Sequence, residues 1–533
     1  MSSAPNSAPE DPTPQAGLVA RSSAALSTAW SMKHYVPTGL FTTLSYYTYG
    51  PPQSSWPLRL ALFTSLARYH SSLARGGGRP SSSAGGAEVD VVAATQAARR
   101  RVAKLLGDDG PGKGKQPRGG AVWEVEVAVK RRGLKGVLEE VDREEDGTRT
   151  VQAEWTLHRS LLPTPPPPSS PPESSSSSSP SLPHKTDRVL LYTHGGAYTL
   201  LSPRTHRDLV VQLSKELRVR ALSLDYRLSP ECKFPSALHD AVSAYFYLTE
   251  DLGIPAVNII VGGDSAGGNL ALALMLYLRE NELPQVGGAV LISPWVDMTA
   301  SLGSWDENKN LDYLTLGNNT SPLSPPRLFL PLESYDTLVS SPYVSPALSA
   351  SLHSLPPLLI HSSGAETLRD EHTLLALRAA KAGVSVTHEV WSEGVHVAVM
   401  IMEDSVGKVA LRAVGEWGKT LGAAPDVLPE GGKLADVDGQ LQAAWNARPE
   451  SEKADNSSTA QTAAPPAAAL FTYEKSLTRL PPIKLRPDAH EAARTAMKEI
   501  EGFEADEGVT AVWTAKAVPA KGVVERVRGI LHL

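Results

Sequence analysis

Ile259-Ile260-Val261-Gly262-Gly263-Asp264-Ser265-Ala266-Gly267-Gly268-Asn269-Leu270 is the stretch whose reading decides the fold. A β-type apolar run passes through Gly-x-Ser-x-Gly directly into an Ala/Leu-rich helical pattern. A strand that turns at once into a helix around a serine is a nucleophile elbow. Gly263 and Gly267 let the chain reverse sharply without side-chain clashes. The turn lifts the Ser265 hydroxyl out of the sheet edge. The following helix then aims free N–H groups and its positive dipole end at the same place.

On either side, short apolar runs at 188–193, 219–225, 258–263, 288–293, 357–363 and 384–391 alternate with amphipathic stretches such as 207–217, 236–249 and 266–280. Strands that alternate with helices make a parallel sheet covered on both faces, an α/β fold. Ahead of it, Trp123, Val125, Val127 and Val129 recur every second residue, and 136–141 and 149–157 read as further strands of an antiparallel meander.

His194-Gly195-Gly196-Ala197-Tyr198 directly follows the run 188–193. Consecutive glycines bring backbone N–H groups close to a substrate oxygen, as acyl transfer requires for its oxyanion. Gly195 and Gly196 are read as two donors, and Ala266, next after the nucleophile, as the third. A serine also needs a base and an acid that orients the base, and in this fold they follow the serine in the order acid, then histidine. His396, in a loop after 384–391, is the candidate base. His388 lies in a strand, His372 in a helix, and His361 in an apolar run ahead of the acid. The acid falls after 357–363, where Glu366 comes first and is preferred to Asp370. The latter begins the next helix, where negative charge suits the N-terminus.

As a set, His-Gly-Gly-Ala-Tyr at 194–198, Asp-Tyr-Arg-Leu-Ser-Pro-Glu at 225–231, Phe-Pro-Ser-Ala-Leu at 234–238, Gly-Asp-Ser-Ala-Gly-Gly at 263–268 and Glu-Gly-Val-His at 393–396 resemble the hormone-sensitive lipase family of α/β-hydrolases, also called alpha/beta hydrolase fold-3. The resemblance covers about residues 120–422. It implies an α/β-hydrolase fold with a mostly parallel central sheet, an N-terminal helical cap drawn from 18–75, and hydrolysis of carboxylic esters without metal or organic cofactor. It also implies His194, Gly263, Asp264 and Gly267 as supporting motif residues. Ala197 stands where the family often has glycine, and Glu366 where it commonly has aspartate. The Glu form, with Trp-Pro-Leu at 56–58 and Glu-Trp at 154–155, is similar to the fungal branch that includes steryl acetyl hydrolases, which points to acetyl esters of hydrophobic alcohols. Asp225, Arg227 and Glu231 read as scaffold that holds loops through charge-assisted hydrogen bonds. The same triad could serve an amidase or deacetylase, and the scaffold also carries non-catalytic receptors such as the plant gibberellin receptors, which lack the catalytic histidine.

The 533 residues are ample for a large core, and we divide them at 119 and 422. Residues 1–119 form a disordered start and cap region, 120–422 the catalytic domain, and 423–533 a low-complexity linker and C-terminal extension. Residues 161–184, almost only Pro and Ser, read as a disordered insert. The 51 basic and 57 acidic residues leave a net charge of −6, which argues against a nucleic-acid partner. A small ester is the expected partner. Residues 56–75 place Leu58, Leu62, Leu66, Tyr69 and Leu73 on one helix face, which suits packing or contact with a lipid surface. The single cysteine, Cys232, excludes an internal disulfide and a Cys-based metal site. With neither a secretory leader nor a spanning apolar run in the sequence, a cytoplasmic or peripheral membrane location is expected.

Overall fold

The computed structural model describes residues 38–49, 51–76, 90–112, 114–162, 188–314, 321–402, 406–422, 433–453, 471–476, 480–503 and 510–517. Most of the Pro/Ser insert expected at 161–184 lies outside them, as do residues 1–37. Two compact units are distinguished, Met1–Arg79 and Pro80–Leu533. In the first, a helical stretch over 38–49 accompanies the helix Leu58–Gly76 (α1). The Thr42 hydroxyl donates to Ser65 Oγ at 2.8 Å, and Tyr46 to the Trp56 carbonyl at 2.8 Å. The buried positions on α1 are Leu60, Ala61 and Thr64, flanked by half-buried Leu58, Leu62 and Leu66. The buried stripe is thus turned from the leucine face read in the sequence. Among the described residues, no helix is long and apolar enough to cross a membrane.

The second unit is built on a sheet with ten strands among the described residues. They are β1 Gly120–Ala128, β2 Thr150–His158, β3 Val189–Thr193, β4 Arg220–Leu224, β5 Ile259–Asp264, β6 Gly288–Ile292, β7 Leu358–Ser363, β8 Val386–Trp391, β9 Phe471–Ser476 and β10 Thr510–Ala517. Their order is β1-β2-β4-β3-β5-β6-β7-β8-β10-β9. From β4 through β8 to β10 every pairing is parallel, while β1–β2, β2–β4 and β9–β10 are antiparallel. The central strands β3 to β7 are buried at every position, as a sheet covered on both faces must be.

The run at 136–141 is not a strand. It forms a 3-10 turn, Gly136–Leu138, and a short helix, Glu139–Arg143. The carboxylate of buried Asp142 accepts the amides of Arg132 and Leu134, a fold-back that no extended strand could offer. The principal covering helices are α2 Val91–Leu106, α3 Pro203–Leu217, α4 Ser236–Phe246, α5 Ala266–Glu280, α6 Arg369–Lys381, α7 Lys408–Thr420, α8 Lys433–Asn446 and α9 Glu491–Glu499. Helix α5 is buried from Ala266 to Leu278 without a break. It is apolar on all sides because it lies in the core rather than over it.

Candidate active site

The elbow is made where β5 ends. Ser265 has φ 52° and ψ −120°, a conformation that costs a non-glycine residue on the order of 1–3 kcal/mol. The surroundings hold it there. The Ser265 N–H donates to the Ile292 carbonyl at 2.9 Å, and its own carbonyl accepts the Trp295 amide at 2.9 Å. A Cβ on Gly267 would stand 1.9 Å from the Thr193 carbonyl oxygen, so only glycine lets α5 leave the strand this closely. The Ser265 side chain is half-buried at the start of α5, at the helix's positive end.

Beneath the elbow, Asp264 is fully engaged. Its Oδ1 accepts the Tyr192 hydroxyl at 2.7 Å and the Gly195 amide at 2.9 Å, and lies 3.3 Å from His206 Nε2. Burial raises its pKa, but His206 and the Tyr192 hydroxyl outweigh that and hold it down at about 2. His206 is buried too, which disfavours its charge, yet the Asp264 carboxylate raises its pKa overall. His194 stacks on Tyr226 at 4.4 Å, and burial with His206 nearby pushes its pKa down to about 3, so it is neutral.

This network corrects one reading of the sequence. Gly195 N–H cannot serve an oxyanion while it donates to Asp264. Among the described residues, the Gly196, Ala197 and Ala266 amides in this corner donate to no acceptor and remain candidates for the oxyanion. Gly196 has φ 112° and Ala197 φ 54°, so the loop takes a left-handed path at both residues. Arg99 on α2 fastens that loop. Its guanidinium donates to the Thr199 and Ser229 carbonyls, each at 2.9 Å, and pairs with Glu231 at 3.0 Å. Asp225 pairs with Arg204, and Arg227 with Asp240.

The other half of the site lies beyond β6, β7 and β8. Glu366 Oε2 faces His396 Nδ1 at 2.9 Å, both side chains being buried. Its Oε1 accepts the Ser363 amide at 2.6 Å and the Ser293 hydroxyl at 3.2 Å, and lies 3.3 Å from His372 Nδ1. Burial alone would raise the Glu366 pKa, but His372 and His396 bring it to about 2. A charged carboxylate against Nδ1 keeps that nitrogen protonated and leaves Nε2 as the acceptor. Nε2 has no hydrogen-bond partner among the described residues, and the Ser265 hydroxyl makes no hydrogen bond to it. Unliganded sites often show such unclosed catalytic contacts. Burial lowers the His396 pKa, but the bond to Glu366 and the charges of Glu366, Asp312 and Asp264 raise it overall. Asp370 instead receives the Ser304 amide at 3.1 Å and the Arg369 guanidinium at 2.9 Å, away from the imidazole.

Two residues here were not singled out in the sequence. Ser293, one position past β6, donates to Glu366 and accepts the Val397 amide at 3.1 Å. Val397 sits at φ 51°, a strained value for a β-branched residue, directly after the histidine. The second is Asp312, whose oxygens meet the backbone of both loops. A serine at the C-terminal end of a parallel strand was a legible signal for the first. Asp312 lies in an irregular loop and left none. Among the described residues, no group of three or more His, Cys, Asp and Glu could hold a metal ion.

The family model described as alpha/beta hydrolase fold matches residues 190–400. An acetyl-hydrolase of Streptomyces hygroscopicus is 40% identical over 212 residues, covering 39% of this chain and 68% of that protein. The esterase LipU of Mycobacterium tuberculosis is 32% identical over 251 residues, covering 44% of this chain and 77% of that protein. A solved esterase from the bacterial hormone-sensitive lipase family aligns with 28% identity over 69% of this chain and 99% of its own, with a TM-score of 0.48. Identity at this level, over two thirds or more of each of the two named relatives, carries the chain into their family: it belongs to the alpha/beta hydrolase fold-3 family and is a carboxylic ester hydrolase.

Proposed function

We propose that the chain hydrolyses acetyl or other short-acyl esters of hydrophobic alcohols, sterols among them, through a Ser265–His396–Glu366 triad and an acyl-enzyme. The observation that carries this reading is the 2.9 Å contact between Glu366 and His396 Nδ1, which leaves Nε2 open as a base. Nε2 takes the Ser265 proton as Oγ adds to the ester carbonyl. The amides of Gly196, Ala197 and Ala266 receive the oxyanion. The tetrahedral intermediate collapses, the alkoxide takes the proton back from His396, and the alcohol leaves. Water then gives a proton to Nε2 as it adds to the acyl carbon. The second tetrahedral intermediate collapses as His396 returns that proton to Ser265 Oγ, and the carboxylic acid leaves and ionises in solution. Glu366 stays ionised throughout and steadies the imidazolium. The acetyl preference is supported by the kinship with an acetyl-hydrolase.

Ser265→Ala should lower turnover of p-nitrophenyl acetate about 10⁴-fold or more while the circular dichroism spectrum stays that of the parent. Undiminished turnover overturns the reading. A series of p-nitrophenyl esters from acetate to decanoate, with sterol acetates beside it, should show kcat/KM falling with acyl length; a preference for long chains removes the acetyl assignment and leaves the triad standing.

A further inference from the structure

We infer that Asp312 is a positioning residue of the triad: one buried carboxylate that fixes the backbone of the acid loop and of the histidine loop together. Its side chain is fully buried. Oδ1 accepts the His396 amide at 3.1 Å and the Tyr313 amide at 2.8 Å. Oδ2 accepts the Thr367 amide at 2.9 Å and the Thr367 hydroxyl at 3.2 Å. Thr367 is the residue after Glu366, so one oxygen holds the acid's neighbour and the other the base itself. Neighbouring Asn308 adds to the clasp, since its amide donates to the carbonyls of Gly364 at 3.0 Å and Glu366 at 2.7 Å. The segment 308–312 therefore grips both loops by their backbones while leaving the Glu366–His396 contact untouched.

The four donors just named converge on the two oxygens of Asp312, and an acceptor-only carboxylate is the group that satisfies all four. An asparagine has one acceptor oxygen and must turn its NH₂ toward either the His396 amide or the Thr367 amide. Burying such a donor–donor clash costs more than the missing bond, because the stranded amide is also desolvated. The two loops then shift against each other. A displacement of about 1 Å at a catalytic group is enough for a loss on the order of 100-fold.

The carboxylate also acts through its charge. The groups that face the His396 imidazole are Glu366 on the β7 loop, Asp312, Asp264 at the end of β5, and the Tyr313 ring 5.9 Å away. Burial raises the Asp312 pKa, against the pull of His396 and the backbone amides. In its ionised form it supports the imidazolium, so its removal favours the neutral imidazole and lowers the His396 pKa. The acid limb of kcat/KM, which reports the free enzyme's base, moves to lower pH.

The inference rests on the triad proposed above, and the test separates the two. In the full chain, Asp312→Asn should reduce kcat on the order of 100-fold per site titrated by a fluorophosphonate, with KM little changed and the acid limb displaced to lower pH. Counting titrated sites removes any misfolded fraction. If that variant yields no titratable sites, Thr367→Val reads the same link from the other side: it deletes one hydroxyl contact in an isosteric frame and should lower kcat about threefold or more. Wild-type kcat in Asp312→Asn, or a kcat loss with an unmoved acid limb, overturns the positioning role, as does wild-type kcat in Thr367→Val. Those results leave the triad intact as long as Ser265→Ala is inactive, whereas an active Ser265→Ala removes the triad itself.

Discussion

Two buried carboxylate–imidazole pairs flank the elbow, and they are built from the same parts for different ends. Asp264 with His206 lies under the glycine loop, and Glu366 with His396 lies beyond β7 and β8. Both carboxylates are held at about 2, and both imidazoles are raised by their partners. The difference is in the spare nitrogen. His206 Nδ1 is taken up by the Ser202 carbonyl at 3.1 Å and Thr205 Oγ1 at 2.9 Å, so the ring is held at both ends. Among the described residues the His396 ring is held only at Nδ1. A perturbed pKa and a charge partner therefore do not by themselves mark a catalytic histidine. A base also needs its second ring nitrogen left for the reacting group.

The largest effect on this contrast should come from Glu366→Gln. An amide in place of the carboxylate removes the charge that steadies the imidazolium and lets the ring take the wrong tautomer. A loss in kcat on the order of 10³–10⁴ is expected, with little change in KM. Pre-steady-state release of p-nitrophenol separates the outcomes: if the acylation burst keeps its parent rate, Glu366 does not orient the base. Gly195→Ala should come next. A Cβ there would lie 2.1 Å from Asp264 Oδ2 and 3.0 Å from its Cγ, so either the carboxylate or the loop must give way. The Gly196 and Ala197 amides move with the loop, and kcat should drop on the order of 100-fold while His396 keeps its acid limb. A variant with parent kcat would show that the Asp264 clasp does not govern the donors.

The candidate triad and the glycine loop could be read from the sequence because their elements are local. The elbow, the glycine loop and the two strand-end loops each announce themselves within about ten residues, and the alternation of strands and helices implies a mostly parallel sheet. What escaped was either tertiary or irregular. The role of Gly195 depends on Asp264, a residue distant in sequence that no periodicity ties to it. The short helix at Glu139–Arg143 is dictated by the Asp142 carboxylate gathering amides, which overrides the apolar spacing of 136–141. The C-terminal extension was given no place in the sheet, yet β9 and β10 prolong it beyond β8. There the Trp513 carbonyl accepts the Ser392 amide at 2.9 Å, at the root of the His396 loop. Short strands that complete an existing edge need little apolar pattern of their own, because the sheet supplies the template.

The smallest effect, and the one that sharpens the contrast most, concerns stability against pH in Asp264→Asn. The folded-state pKa of Asp264, about 2, lies below its ordinary 3.8, so its contribution is present above 3.8 and lost as pH falls toward 2. His206 is raised above its ordinary 6.5, so its contribution is present below 6.5 and lost as pH climbs through the folded value. The pair thus stabilises most between about pH 4 and 6.5, by about 2 kcal/mol from the carboxylate shift. The difference in melting temperature between the parent and Asp264→Asn should peak in that window and shrink on both sides. Parallel melting curves from pH 2.5 to 9 would show that the pair is not a titrating clasp. If His396 is the base proposed above, activity should follow the opposite slope and rise with pH through its own raised pKa. On that proposal the working range falls above pH 6.5, where the His206 clasp is already weakening: one imidazole would have to lose its proton for turnover, while the other stabilises the loop by keeping its own.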